Sequence, residues 1–530
     1  MATPATRYYG NNNNRQDDVF VASITSQDIL DENNSTKRAR KGRKKSSKAV
    51  VFLLLGVCAI AGAAVAYFAT QKSGDSTEAS NSSGGNGSSG GKSGKGGSSG
   101  TISESAESTG GGGYGGNAKV KVTTDPTAEK YTLGAFAIGD WGSTAIVEGG
   151  SCCSRRKGKY NAFDLHSERA VSKLMALEAA NHKPSAVLGH GDNFYWTGIH
   201  GPKDQSYRFQ LTFEDRHGEE SMMDVPWINV MGNHDYGGGS YICVDSDEEL
   251  APCKDAKAVV AALQEKFDLQ SSYKSPNNDR WVIKDHFYKY TIEDGDVSMD
   301  IFNLDINNAE AHGSDQICCQ CYSYSEGNDT LCKKITRGHE MCCGGDVEMY
   351  DACMKQFKDW GEDSKTQLLD AVKKSTATWK IVNSHYSPYG HFGETSGKEW
   401  MQALESSGGI QLWIAGHTHG EKHDYASFGM HFIENGAGGG IQSEPSSGIP
   451  AFASDKVSNV WAATGLEDGN TYGFFSLQAS STWLKVRYMS FDSNWALTKE
   501  EDGLDNGKIG GVEAKYCWYI PADGSQGQKC

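Results

Sequence analysis

The sequence predicts an α/β fold over residues 118–530, a mixed layered sandwich. Three observations carry that expectation. Short apolar runs alternate with stretches of helical spacing, the runs outnumber the helices, and five of the runs end in polar residues, mostly straight after a glycine. A purely parallel, doubly wound sheet needs about one helix per strand, so a mixture of parallel and antiparallel pairing is the better reading.

The segments before that domain differ from it and from each other. Residues 1–48 hold ten basic and five acidic residues, a net charge of +5. Residues 49–70, AVVFLLLGVCAIAGAAVAYFAT, carry no charge. At ~1.5 Å per residue such a helix reaches ~33 Å, enough for a ~30 Å hydrocarbon core. Eight of the ten basic residues lie at 37–48, immediately before it, and such a cluster keeps its own side cytosolic. A cleaved signal peptide is the alternative, but its apolar core is usually ~7–15 residues and lies nearer the N-terminus. The expectation is a single-pass type II membrane protein. It has a basic cytosolic tail (1–48), a transmembrane signal-anchor helix (49–70) and the remainder extracellular or in the lumen of the secretory or vacuolar system. Residues 71–117 contain sixteen glycines and are expected to form a flexible linker, because so little apolar surface cannot offset the entropy of ordering. Glycosylation motifs at Asn81, Asn86 and Asn328 suit that side of a membrane.

Within the domain, Tyr131–Ile138 reads as a strand. Asp164–Ala180 reads as a helix through Leu165, Ala170, Leu174 and Leu177, with Asp164 as its N-cap. Ser185–Leu188, Pro226–Met231, Met299–Leu304, Trp379–Val382 and Ile410–Ala415 read as buried strands; Ala256–Lys266, Lys365–Lys374 and Lys398–Glu405 read as helices. Thirteen cysteines follow Cys58, and seven crowd into Cys318–Cys353. A zinc site using Cys318, Cys321, His339 and Cys342 is one reading; a disulfide-stapled loop is the better one beyond a membrane, where thiols oxidise. The odd count leaves one thiol over. The chain's −16 charge resolves into +5, 0 and −21, the last over residues 71–530. An acidic domain excludes a general nucleic-acid binder, which needs a basic surface for phosphates.

The strand ends carry the chemistry. AFAI is followed by Gly139-Asp140-Trp141-Gly142, and AVL by Gly189-His190-Gly191-Asp192-Asn193-Phe194-Tyr195. WINVM is followed by Gly232-Asn233-His234-Asp235, WKIV by Asn383-Ser384-His385, and QLWIA by Gly416-His417-Thr418-His419. Carboxyl ends of strands are where α/β folds build sites. A single ion with four ligands leaves half of this inventory unused. Two ions ~3.5–4 Å apart sharing one carboxylate use seven donors and suit displacement at phosphorus. Mixed oxygen and nitrogen donors fit iron, manganese or zinc.

This order of motifs, with GDNFYWTG, FQLTFED, VPWINVMGNHD and ENGAGGG, resembles the mammalian-type tartrate-resistant members of the purple acid phosphatases, within the calcineurin-like metallophosphoesterase superfamily. The resemblance spans about residues 131–491. It implies a four-layer α/β/β/α sandwich of two mixed sheets and an acid phosphatase acting on phosphate monoesters, which the span at 49–70 would anchor to a membrane. It also implies a binuclear centre, Fe(III) with Fe(II), Zn(II) or Mn(II), whose hydroxide attacks phosphorus in line. Asp140, Asp192, Tyr195 and His419 would hold the Fe(III); Asp192, Asn233, His385 and His417 would hold the divalent ion, with Asp192 bridging. His234 would give a proton to the leaving group, and His391 would contact substrate. His391 follows His385 by only six residues, closer than in relatives, and Gly142 stands where the wider superfamily has a histidine. His190, His423 and His431 read as structural, and Asp235 as orienting His234 or capping its loop. Residues 311–359 form a Cys-rich insertion, expected to gate the site until an activating protease cuts it. The alternatives are a manganese or zinc phosphodiesterase of the same superfamily, and a non-catalytic ectodomain serving as receptor or adhesin.

Overall fold

The computed structural model describes residues 122–142, 152–153, 155–157, 159–464, 471–498, 504 and 507–530. The expected tail, anchor and linker lie outside the described residues, as do Cys58, Asn81 and Asn86. Among the described residues no helix is long and apolar enough to cross a membrane.

The strands run β1 (Leu133–Ile138), β2 (Arg155–Arg156), β3 (Lys159–Tyr160), β4 (Ala186–Gly189), β5 (Trp227–Asn229), β6 (Trp281–Val282), β7 (Phe287–Asp294) and β8 (Val297–Leu304). They continue with β9 (Trp379–Ser384), β10 (Leu412–Ala415), β11 (Glu421–Ala426), β12 (Met430–Asn435), β13 (Val457–Ala462), β14 (Phe474–Ala479), β15 (Trp483–Phe491), β16 (Val512–Pro521) and β17 (Gln528–Lys529). The helices used below are α1 (Ala162–Asn181), α2 (Pro202–Arg208), α3 (Ala256–Ser271), α4 (Ser314–Cys319), α5 (Cys321–Tyr324), α6 (Asp329–Cys332), α7 (Val347–Lys374) and α8 (Glu394–Ser407).

Two mixed sheets form. The first has order β17-β16-β15-β14-β1-β4-β5-β6 and the second β13-β11-β12-β10-β9-β8-β7. β1, β4 and β5 are parallel neighbours in the first; β9 and β10 are parallel neighbours in the second. The period-two geometry of a strand explains why these runs read as continuously apolar. In β1, Ala135 and Ala137 face the second sheet, while Phe136 and Ile138 face the outer helices. In β10, Leu412 and Ile414 point inward, while Trp413 and Ala415 point outward. One apolar cluster therefore fills the space between the sheets. A second lies between the first sheet and α1 and α3, and a third between the second sheet and α8 with the end of α7. The layers are α/β/β/α, as the family resemblance implies.

Asp164 is not the N-cap of α1. Asn161 caps it, its Oδ1 accepting from the Asp164 N–H at 3.0 Å. Asp164 is buried in the first turn, paired with Arg156 at 2.7 Å and accepting from the Tyr472 hydroxyl at 2.6 Å. The seven crowded cysteines form a disulfide-stapled unit rather than a zinc site: Cys318–Cys353, Cys319–Cys342 and Cys321–Cys332 bond, and Cys343 is the free, buried thiol. The insertion is not wholly a loop. Its last residues are the first half of α7, where Met349, Tyr350, Cys353 and Phe357 join the cluster on the outer face of the first sheet. Leu368 and Val372, further along α7, join the cluster on the second sheet.

The chain enters the domain beside the N-terminal end of β1. There the Trp483 indole donates to the Thr123 carbonyl at 3.1 Å, and the Thr132 N–H to the Ala479 carbonyl at 3.1 Å.

Candidate metal centre

Five parallel strands end at one place. β1, β4 and β5 deliver Asp140, Asp192, Tyr195, Asn233 and His234 from the first sheet; β9 and β10 deliver His385, His417 and His419 from the second. Asn383, in β9, ties the sheets together beneath them. Its amide donates to the Gly189 and Ile228 carbonyls at 3.2 and 3.1 Å, and its Oδ1 meets His190 Nδ1 at 2.5 Å.

Close approach requires glycine at two of these turns. A Cβ on Gly232 would lie 2.2 Å from Asp192 Oδ1 and 2.5 Å from the Asp192 backbone nitrogen. A Cβ on Gly142 would lie 2.4 Å from the Asn193 carbonyl carbon. This explains why no histidine stands at 142: the backbone of residues 192–193 occupies its space. Asp140, Asp192 and His417 adopt φ of 53°, 51° and 70°, a left-handed conformation that costs non-glycine residues energy and gathers at functional sites.

The donor atoms converge. His385 Nε2 lies 3.0 Å from Asn233 Oδ1, His417 Nδ1 lies 3.1 Å from the same oxygen, and the two imidazole nitrogens are 3.2 Å apart. His385 donates its Nδ1–H to the His190 carbonyl at 2.7 Å. That bond fixes the tautomer and leaves a lone pair on Nε2. Nε2 then faces the Asn233 oxygen, acceptor against acceptor, an arrangement that a cation between them makes favourable. Spacings of about 3 Å are those of adjacent ligand atoms around an ion bound at ~2.1 Å. Asp192 Oδ1 is 3.5 Å from His385 Nε2, and ligand atoms of Asp140, Asp192 and His385 all lie within 4.8 Å of one another. On the other side of Asp192, the Tyr195 hydroxyl donates to Asp140 Oδ1 at 3.0 Å, and His419 Nε2 lies 3.8 Å from that oxygen.

Electrostatics favour a cation here too. Asp140 and Asp192 are both buried, and no lysine or arginine pairs with either among the described residues. Burial, then the neighbouring Asp192, pushes the Asp140 carboxyl well above the usual carboxylate range. Burial acts the same way on Asp192, but the nearby His385 and His234 imidazoles and the His234 backbone N–H outweigh it and hold that carboxyl low. Burial and the same two carboxylates push the Tyr195 phenol well above its ordinary value. Two buried carboxylates this close cannot both ionise without compensating positive charge, and a pair of metal ions would supply it. All seven residues expected as ligands are gathered here, and the donor set fits a metal pair.

The other expected residues fall as follows. His234 sits beside the donors: its N–H donates to Asp192 Oδ1 at 3.0 Å and its Nδ1 meets the Trp196 carbonyl at 2.7 Å. Asp235 caps the loops, accepting from the N–H groups of Gly232, Asn193 and Phe194. His391 is buried with both ring nitrogens engaged, Nδ1 accepting from the Ser387 N–H at 2.8 Å and Nε2 meeting Thr418 Oγ1 at 2.9 Å. It holds the residue between His417 and His419. His190 sits beneath the site, while His423 and His431 are buried against each other, with Tyr516 bonded to His423.

Two neighbours of the site escape sequence reasoning. Glu444 Oε1 lies 3.7 Å from His419 Nδ1, and the Glu444 N–H donates to the His419 carbonyl at 2.7 Å. Burial alone would lower the pKa of His419; Glu444 and then Asp140 outweigh it and raise it to about 9. A carboxylate in that place orients a ligating imidazole. The second is His312, on the Cys-rich insertion, whose ring lies 6.0 Å from that of His417. Neither belongs to a motif; each arrives through the path of a long loop.

A family model described as calcineurin-like phosphoesterase matches residues 136–421, from β1 to just past His419. The mouse tartrate-resistant acid phosphatase type 5 is 35% identical over 325 residues, covering 59% of this chain and 75% of that protein. The pig protein of the same name is 38% identical over 117 residues, a match covering 22% of this chain and only 29% of the pig protein. Purple acid phosphatase 17 of Arabidopsis thaliana is 21% identical over 328 residues, 61% of this chain and 73% of that one.

Proposed function

The chain belongs to the calcineurin-like phosphoesterase family, alongside the tartrate-resistant acid phosphatases, and we propose that it is an acid phosphatase hydrolysing phosphate monoesters at a binuclear metal centre, anchored to a membrane by its apolar segment at 49–70. One observation carries the reading: Asn233 Oδ1, His385 Nε2 and His417 Nδ1 converge within 3.0–3.2 Å beside two buried carboxylates.

In the proposed centre Asp140, Asp192, Tyr195 and His419 would hold Fe(III), and Asp192, Asn233, His385 and His417 would hold Fe(II), Zn(II) or Mn(II), with Asp192 serving both. Bound there, the metal pair would lower the pKa of water and neutralise charge on the phosphoryl oxygens. The protein's own groups do the rest. His190 keeps the Nε2 lone pair of His385 directed inward through its carbonyl. The Trp196 carbonyl holds the Nδ1–H of His234, leaving Nε2 as the atom that, protonated, gives its proton to the departing alkoxide. Among the described residues no serine or cysteine stands among the donor atoms, so no covalent phosphoenzyme is invoked. The span at 49–70 would tether the domain on the non-cytosolic side of a membrane, and a protease cutting the insertion would open the mouth of the site.

Metal analysis, a visible spectrum and p-nitrophenyl phosphate turnover across pH test this on the purified chain. The expected result is two metal ions per chain, acid-optimal turnover and a violet band that Tyr195→Phe abolishes. A metal-loaded but colourless protein that prefers diesters overturns it in favour of the phosphodiesterase alternative.

A further inference from the structure

We propose that His312, carried by the Cys-rich insertion, is a substrate-binding residue of this site and donates a hydrogen bond to the phosphoryl group of the bound ester. The inference deepens the function proposed above and rests on it. The sequence leads one to look for a second substrate-facing imidazole at His391, but that ring is buried and spent on Ser387 and Thr418. His312 has the opposite character. Its side is open to solvent, its ring stands 6.0 Å from that of His417 at 75°, and no hydrogen bond engages its ring nitrogens among the described residues. The His234 and His419 imidazoles, the Glu444 carboxylate and the Lys333 ammonium lie within electrostatic reach of it.

Its backbone is held from several directions. The Glu310 and Ala311 N–H groups both donate to the His391 carbonyl, at 3.1 and 2.9 Å. The Tyr386 hydroxyl donates to the His312 carbonyl at 3.3 Å. His312 itself has φ of 52°, a conformation kept only where its surroundings over-determine it. Two residues on, α4 begins, and Cys318–Cys353 and Cys319–Cys342 pin that helix. A clamped backbone beneath an exposed, unengaged imidazole at the edge of a metal site is a donor pre-positioned for an anionic ligand. His391 thus works through its carbonyl as a positioning residue for the insertion that bears His312.

The test uses the full, metal-loaded chain, with metal content, KM, kcat and inhibition by inorganic phosphate measured for wild type, His312→Ala and His312→Gln. A hydrogen bond to a charged group is worth roughly 10–100-fold in affinity. His312→Ala should therefore raise KM and the phosphate inhibition constant by that factor at unchanged metal content. His312→Gln, which keeps an N–H donor, should recover part of the loss. Unchanged phosphate affinity in His312→Ala, or a fall in its metal content, overturns the inference while leaving the proposed function standing. A wild type that binds phosphate without hydrolysing esters overturns the proposed function, and the phosphate affinities, then read by calorimetry, still decide for or against His312. A wild type that binds neither metal nor phosphate overturns both.

Discussion

Asp192 and His234 touch through one hydrogen bond, yet substitution should separate their roles. Asp192 lies between the Asn233–His385–His417 cluster and the Asp140–Tyr195–His419 cluster. Asp192→Ala is expected to lose both metal content and nearly all turnover, read by metal analysis beside p-nitrophenyl phosphate hydrolysis. His234→Ala should keep its metal and lose ~10²–10⁴ in turnover, the usual worth of a general acid; loss of metal in that variant would instead make His234 a ligand. That the seven expected ligands gather in one place was legible because each follows an apolar strand within a few residues, so local sequence sets its position. The partners of His391 were illegible, because its sequence distance from His385 says nothing about Ser387 and Thr418, which meet its ring nitrogens. His312 and Glu444 were illegible because nothing local aims them at the site; a disulfide-pinned helix and the loop after β12 do.

At the level of strands and helices, the turn glycines are the sensitive points. Gly232→Ala would drive its methyl into the Asp192 carboxylate and backbone. It should lower stability by about 1–3 kcal/mol and reduce metal content, measured by urea unfolding and metal analysis; a variant with wild-type metal content and stability would contradict the packing described. The strands predicted before the site were legible because both their faces are buried and their residues uniformly apolar. β11 and β12 were not, since Lys422, His423, Asp424, His431 and Glu434 look like surface residues. They are instead buried and mutually satisfied, Lys422 against Asp424 and Glu434, and His423 against Tyr516 and His431. The β7–β8 hairpin turns at Gly295-Asp296, between the paired Asp294 and Val297, with Gly295 at φ 58°, a local signal that apolar spacing alone passes over. The start of α7 was hidden by the cysteines, whose disulfides mark it as insertion before its helical spacing shows.

For the molecule as a whole, Glu168 links stability to pH. It lies buried on α1, and burial, outweighing Arg216 at 2.9 Å, raises its pKa from 4.5 to about 8. A folded-state pKa raised above the unfolded value means that protonated Glu168 favours the fold. Its contribution is full below about pH 4.5 and is lost as pH rises toward about 8. Against Glu168→Gln, which stays neutral, wild type should lose stability across that window in denaturant titrations; parallel curves would show that Arg216 keeps the carboxylate ionised throughout. The layered architecture was legible from strand count and the resemblance together, whereas the three segments before residue 118 rest on composition alone. The path of β1 has a consequence for how the molecule is held. Thr123 and Leu133 sit at one end of the first sheet and Asp140 just beyond the other, so the chain leaves the domain at its foot while the donor cluster opens at its crown. An ester that reaches the donor cluster from the crown therefore does so without passing Thr123 at the foot.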